Sequence, residues 1–364
     1  MGSEVLHVVG ARPNMPKAAP VIQAFAAAGA AQCIVDTGQH YEEAMSSALM
    51  TALGMPAPDV ELRVGSGSHA AQTAAILTAI EAVFMQRDPR IVMVYGDVNS
   101  TLAAALAAAK MGIPVAHVES GLRSHDACMP EEINRRLVDH LSSLLFVTSP
   151  DAWENLRAEG LADSRAVDVG NPMIDSLVAM RDGMDFAHLR AKQGLPNEYL
   201  VATIHRPNNV DDPREAAKVL AVLGDLGSRI PVVLPLHPRS RSNLQAAADL
   251  PGLIVTDPMP YPEFLAAVDG ARVVVTDSGG VQEETSFLGV PCVTIRPTTE
   301  RPVTITQGTN RLTSIEEAPA TVSRVLQQPR PGPAQIPLWD GRAGERITTA
   351  VLGWLASRGG GSDG

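Results

Sequence analysis

Three carboxylates stand where apolar runs end or a helix begins: Asp97 in VYGDVNSTLA, Glu119 in VAHVESGLRS and Glu131 in MPEEINRRLVDHLSSLLF. Singly, each suits a structural role, because acidic residues belong at a helix start or a loop rim. Crowded together, such groups raise one another's pKa and exchange protons near neutral pH. A second set of residues is built for anions. In VVVTDSGGVQEE an apolar run breaks through Asp-Ser-Gly-Gly into a helix start. There Ser278 offers a hydroxyl, Gly279 and Gly280 let backbone amides approach a ligand, and the helix dipole is positive. Glu284, one helical turn on, is placed to accept hydrogen bonds from a ribose. VATIHRPNNVDD ends another run in His205 and Arg206, and VVLPLHPRSR offers His237 and Arg239 as a similar pair. In VVGARPNMPKAAP, Arg12 and Lys17 flank a helix start with Asn14 as its cap. Two cations facing the positive end of a dipole are unfavourable without an anion to share, which points to phosphate. Without a ligand, the same stretches read as tight turns, solvated cations and loop ion pairs such as Glu300–Arg301.

Both sets need a scaffold that delivers them to strand ends. Short apolar runs alternate along the chain with longer Ala- and Leu-rich stretches of helical period. Strands are expected at EVLHVVG, CIVDTG, IVMVYGD, VAHVES, LLFVTS, AVDVGN, LVATIHRP, VVLPLHP, LIVTDP, VVVTDSGG and PCVTIRP, with helices such as AAPVIQAFAAAG and AQTAAILTAIEAVFMQ between them. The alternation predicts an α/β protein whose parallel sheets are covered by helices on both faces and whose ligands bind outside the carboxyl ends of the strands. Pro130 opens a helix with Ile133, Leu137 and Leu141 as its apolar stripe, and Glu131–Arg135 and Glu132–Arg136 fall at (i, i+4). At 364 residues the chain is long enough for two cores. VGNPMIDSL marks the crossing: one domain over 1–171, completed by a C-terminal helix at about 345–357, a second over 172–344, and a flexible tail over 358–364.

Bulk properties narrow the function. The chain is 45% hydrophobic and 19% charged, and no apolar run approaches the roughly 18 to 20 residues of a membrane span. With no cleavable leader at its start, a cytoplasmic enzyme is expected. The net charge of −11 disfavours nucleic acid as a partner. Cys33, Cys128 and Cys292 lie far apart, which fits reduced thiols and argues against a structural zinc site, so no metal is expected. Neither GxGxxG nor GxxxxGK[ST] occurs, which weighs against a bound dinucleotide or an ATPase.

The stretches GARPNMPKAAPVI, TGQHYEEAMS, VYGDVNSTLAAALAA, HVESGLRS, MPEEINRRLVDHLS, GNPMID, TIHRPNNVDD, TDSGGVQEETSFLGVPCVTIR and TERP, in that order and spacing, resemble the non-hydrolysing UDP-N-acetylglucosamine 2-epimerases. The resemblance implies two Rossmann-like domains of the glycosyltransferase-B type with a ligand cleft between them, closing during turnover. It further implies a homodimer, a UDP-sugar substrate and no cofactor. By motif, it gives Asp97, Glu119 and Glu131 as catalytic carboxylates and His205 as a phosphate-binding group that assists departure of UDP. Arg12 and Lys17 would contact the nucleotide sugar, Ser278, Gly279 and Gly280 the diphosphate, Glu284 the ribose, and Phe264 in MPYPEFLAAV the uracil. Arg135 is a further candidate substrate contact, and Arg301 would add a supporting charge. Asn14 stands where many members have Glu, Asn208 replaces the Glu of an HRxEN pattern, and Val303 replaces the Glu after TERP.

The implied reaction is reversible epimerisation at C2 by elimination and re-addition of UDP through a 2-acetamidoglucal. A hydrolysing epimerase releasing free N-acetylmannosamine would carry the same motifs. A glycosyltransferase of the same fold needs one base at its acceptor, which the acidic trio exceeds. A silent nucleotide-sugar sensor would keep DSGG and lose the carboxylates.

Overall fold

A computed structural model describes residues 5–39, 43–236 and 238–359. His237, one half of the expected His237–Arg239 pair, and the end of the tail lie outside the described residues. The chain forms two compact units, Met1–Ala179 with Pro337–Gly364, and Met180–Ile336.

In the first unit, β1 (Val5–Val9), β2 (Gln32–Asp36), β3 (Val60–Glu61), β4 (Ile91–Tyr95), β5 (Val115–Ser120), β6 (Leu144–Val147) and β7 (Ala166–Asp168) form one parallel sheet. Its order is β3-β2-β1-β4-β5-β6-β7. In the second, β8 (Leu200–Thr203), β9 (Val232–Pro235), β10 (Leu253–Thr256), β11 (Val273–Thr276), β12 (Cys292–Ile295) and β13 (Asn310–Thr313) form another, ordered β10-β9-β8-β11-β12-β13. Every residue of β1 and β4 is buried, as in strands covered on both faces, which is why they read as unbroken apolar runs. Two edge strands, β3 and β13, go beyond those expected. β3 has only two residues, and β13 opens on a buried amide, Asn310, held by Thr294 Oγ1 at 2.6 Å and Gln282 Oε1 at 2.9 Å.

Each sheet reverses its order once, between β1 and β4 and between β8 and β11. Crossovers leave such a pair in opposite directions and open a crevice at the carboxyl ends, where α/β sheets bind ligands. The segments that leave these four strands carry Arg12, Asp97, His205 and Ser278.

The first unit extends past residue 171 because the Pro172–Arg181 helix packs with it. Ser176 Oγ donates to Pro16 O at 2.6 Å, and Asp175 Oδ2 accepts from Gly344 N at 2.8 Å. The chain returns at Pro337, ahead of the C-terminal helix, and Trp339 Nε1 donates to Thr148 O at 3.0 Å. The Ala343–Gly359 helix then lies on the Met15–Ala27 helix, so close that a β-carbon on Gly344 would come within 2.5 Å of Pro20 O.

The Pro130–Leu141 helix departs in part from expectation: Leu141 packs against the core beside buried Val138, but the other two stripe residues do not. Ile133 and Leu137, read as its buried stripe, are 50% and 47% exposed. Glu132, Asn134, Arg135 and Asp139 are buried instead, because this helix delivers charged groups to the strand ends of its own unit. Among the described residues, no helix is long and apolar enough to cross a membrane.

Candidate active site

The acidic corner belongs to the first unit. After β1 the chain turns through Arg12–Asn14 into the Met15–Ala27 helix. Asn14 gives that helix no side-chain cap. Its Oδ1 accepts from Ala11 N at 3.2 Å and its Nδ2 donates to Tyr95 O at 2.7 Å, tying the turn after β1 to the end of β4. Lys17, buried in the first helical turn, pairs with Glu119 Oε2. The anion that a cation needs at this helix start therefore comes from within the chain. Gly96, at φ +61°, makes room: a β-carbon there would lie 2.9 Å from Lys17 Nζ and 3.1 Å from Glu119 Oε2. Glu119 itself adopts φ +81°, where β5 slips register against β6. A side chain in that region costs on the order of 1–3 kcal/mol and persists where its surroundings over-determine it, typically at functional sites.

Asp97 follows β4 and takes Arg135 on one oxygen, with Nη2 at 2.7 Å and Nε at 2.9 Å. Asn134 Nδ2 holds the Asp97 carbonyl at 2.8 Å. Arg135 Nη1 also donates to Glu132 Oε2 at 2.8 Å, and Glu132 Oε2 takes Ser124 N at 2.8 Å. The (i, i+4) pairs expected on this helix thus give way to others: Arg135 serves Asp97 and Glu132, and Arg136 reaches Glu159 at 3.3 Å. Glu131 is half-buried in the helix's first turn. Under the corner lies fully buried His117, with Nδ1 2.7 Å from Asp139 Oδ1 and Nε2 2.8 Å from Gly96 O. Burial pushes the Asp139 carboxyl up, but His117 and Arg123 outweigh it and hold it below its usual value.

The anion-binding set belongs to the second unit. Ser278 caps the Gly279–Leu288 helix in extended conformation, and its side chain makes no capping bond there. Gly279 is required because Arg301 packs on it: a β-carbon would lie 2.5 Å from Arg301 Nη1. Arg301 is buried, pairs with Glu300 and lies 3.1 Å from Glu283 Oε2 through Nε. Glu300 in turn holds Arg296 at 2.7 Å. Two acids thus surround the expected supporting charge. His205 and Arg206, leaving β8, are fastened to Asp277, which leaves β11. Glu284 is buried and accepts from Tyr261 Oη at 2.6 Å. Burial, joined by the charge of Glu283 and opposed by the Tyr261 hydroxyl, pushes its carboxyl up to about 7. Phe264 is half-buried on the Tyr261–Gly270 helix.

The structure brings Lys17, Asp97, Glu119 and Arg135 into one ion-paired corner, with Glu131 on the helix that carries Arg135 and Arg12 on the turn before Lys17. It gathers His205, Ser278, Gly279, Gly280 and Arg301 around one helix start, with Glu284 in the second turn of that helix. Sequence reasoning passed over Asp277, Asn134, Tyr261 and the His117–Asp139 pair, and gave Glu132 a different partner. A polar residue in the middle of an apolar strand, as His117 is, was the available signal. Among the described residues, no group of His, Cys, Asp and Glu side chains is arranged to hold a metal ion.

Comparison with known proteins follows this geometry. The family model for UDP-N-acetylglucosamine 2-epimerase matches residues 23–352. The UDP-2,3-diacetamido-2,3-dideoxy-D-glucuronate 2-epimerase of Pseudomonas aeruginosa is 39% identical over 89% of this chain and 94% of its own length. The UDP-N-acetylglucosamine 2-epimerase of Methanocaldococcus jannaschii is 36% identical over 93% of this chain and 96% of its own. The crystal structure of the M. jannaschii UDP-GlcNAc 2-epimerase in complex with UDP-GlcNAc and UDP matches with a TM-score of 0.88 at 35% identity, covering 96% of this chain and 99% of that one.

Proposed function

Because the chain belongs to the UDP-N-acetylglucosamine 2-epimerase family, we propose that it epimerises C2 of a UDP-linked 2-acetamido sugar, UDP-N-acetylglucosamine first, by eliminating UDP and adding it back. The observation that carries this reading is the pairing of Asp97 and Glu119 with buried cations in a chain that also holds a Ser-Gly-Gly helix start.

The chemistry explains why both sets are needed. A C2 proton without a neighbouring carbonyl is too weak an acid to be removed directly. When the C1–O bond breaks and UDP departs with the electron pair, C1 becomes oxocarbenium-like and the C2 proton becomes acidic. A carboxylate takes that proton, leaving 2-acetamidoglucal and UDP. Protonation on the opposite face and re-addition of UDP then give the mannosamine epimer. Charge developing on the leaving diphosphate calls for fixed donors: the amides of Gly279 and Gly280, the Ser278 hydroxyl, His205 and Arg206. Removing a proton from one face and returning it to the other calls for at least two carboxylates, taken from Asp97, Glu119 and Glu131. Excluding water protects the glucal.

A second reading keeps this chemistry and changes the sugar. The 39% identity to the P. aeruginosa enzyme favours a UDP-2,3-diacetamido-2,3-dideoxy-D-glucuronate substrate. Incubation with each UDP-sugar in D2O, followed by NMR, tests both. Deuterium at C2 and a mixture of the two epimeric UDP-sugars are expected with the true substrate. Free sugar plus UDP would reveal the hydrolysing type. Absence of C2 exchange with both sugars would favour a transferase or a sensor.

A further inference from the structure

Asp277 is a buried acid that the proposed reaction has not yet used. It lies between the last residue of β11 and Ser278, with no solvent exposure. A carboxylate so placed must be paired or fully hydrogen-bonded. Its partners come from the segment that leaves β8, across the point where the sheet order reverses. His205 N lies 3.1 Å from Oδ1 and 3.0 Å from Oδ2, Arg206 N donates to Oδ2 at 2.8 Å, and Asn209 Nδ2 donates to Oδ2 at 2.9 Å. Arg206 Nε reaches the Asp277 carbonyl at 2.9 Å. The ring is engaged as well, with His205 Nδ1 3.3 Å from Asp277 Oδ1. The His205 side chain is 36% exposed, against 0% for Asp277. The acid is therefore the more deeply buried member of the pair.

We infer that Asp277 is a positioning residue that keeps a proton on Nδ1 of His205 and aims Nε2 at the departing diphosphate. This rests on the proposed role of His205 in the epimerase reaction. A neutral imidazole chooses between two tautomers, and the hydrogen bond at one nitrogen fixes the state of the other. With Nδ1–H given to Asp277, a further proton on the ring can reside only on Nε2. Nε2–H can then donate a charge-assisted hydrogen bond to the anion that forms as UDP leaves. The same carboxylate fixes the segment after β8 against the turn that begins the Ser-Gly-Gly helix, so the two groups expected on the diphosphate share one support.

Three measurements test the inference. Long-range 1H–15N spectra of the ligand-free protein, assigned through His205→Gln, should show Nδ1 of His205 protonated. In Asp277→Asn that proton should redistribute towards Nε2. Asp277→Asn should lower kcat roughly 10- to 100-fold, the range in which outer partners of ligating histidines act, with KM changed less than about threefold. In a His205→Ala background, the same substitution should cost less than about threefold more, because its effect runs through the ring. A wild-type spectrum with Nδ1 bare overturns the inference even if Asp277→Asn does not fold. An equal cost of Asp277→Asn with and without His205 overturns it too. Normal turnover in His205→Ala would instead refute the proposed role of His205, while the spectra still report on Asp277.

Discussion

The polar clusters at the strand ends of the two units are charged in opposite senses. In the first unit the acids Glu119 and Asp97 each have a buried cation as partner, Lys17 and Arg135. In the second unit the basic and N–H groups have buried acids as partners: Asp277 for His205 and Arg206, Glu283 and Glu300 around Arg301. Buried charge is tolerated when paired and satisfied, and each of these buried charges finds its partner within its own unit. The lesson is that ion pairing, more than apolar packing, decides where these side chains point.

The largest effect should come from breaking the acidic side. Asp97→Asn, Glu119→Gln and Glu131→Gln remove an ionisable carboxyl at nearly constant shape, and if these groups transfer the proton as proposed, each is expected to cut turnover at least roughly 100-fold. NMR of C2 deuterium exchange in D2O measures this directly. Near-normal exchange in one variant would strike that residue from the mechanism. For Asp97 or Glu119 it would also show that the ion pair with Arg135 or Lys17 is structural.

A smaller effect is expected from Glu284, which departs from the pairing rule, since a tyrosine hydroxyl stands where a cation would be. Its carboxyl, pushed up to about 7, is largely protonated at pH 6 and largely ionised at pH 8. If the ionised form accepts the ribose hydroxyls, UDP affinity should rise with pH by up to roughly tenfold across that interval. UDP's own phosphate titrates nearby, so the decisive quantity is the difference between wild type and Glu284→Gln, by calorimetry at both values. A difference that does not change with pH would sever Glu284 from the nucleotide.

Much of this was readable without coordinates. Strands buried on both faces announce themselves as apolar runs, and that pattern located β1, β4 and β11, so Asp97 and Ser278 could be placed just past strand ends. What stayed hidden depended on pairing between distant segments. Ile133 and Leu137 fit a buried stripe by period, but the polar face of that helix is drawn inward by Asp97 and Ser124, which no local spacing encodes. The Lys17–Glu119 pair joins residues more than 100 apart in sequence. Asp277 reads as a turn residue until the segment after β8 closes on it. Period and turn chemistry reveal where a chain bends, whereas ion pairs across the sheet are fixed only by its strand order.

The smallest effect should come from Asp175, a buried acid outside the proposed chemistry that also lacks a cation within ion-pair distance among the described residues. It accepts from Gly344 N at 2.8 Å and so anchors the start of the C-terminal helix, while its Oδ1 has no hydrogen-bond partner among the described residues. Burial, with a smaller push from Asp340 and against the pull of the Gly344 and Ala343 amides and the charge of Arg346, raises its carboxyl to about 6. A carboxyl raised on folding contributes stability that is complete below its unfolded value near 4 and is lost as pH climbs through about 6. At pH 8 the wild type therefore bears the full cost of a buried charge, at most about 3 kcal/mol. Asp175→Asn keeps an oxygen for Gly344 N and carries no charge. Its Tm should exceed that of the wild type by a few degrees at pH 8, about 2–4 °C per kcal/mol for a unit of this size. The gap should close as pH falls to 5. A Tm difference equal at both values, or a variant less stable at pH 8, would mean that Asp175 is ionised at no cost and that an acid in this fold can do without a buried partner.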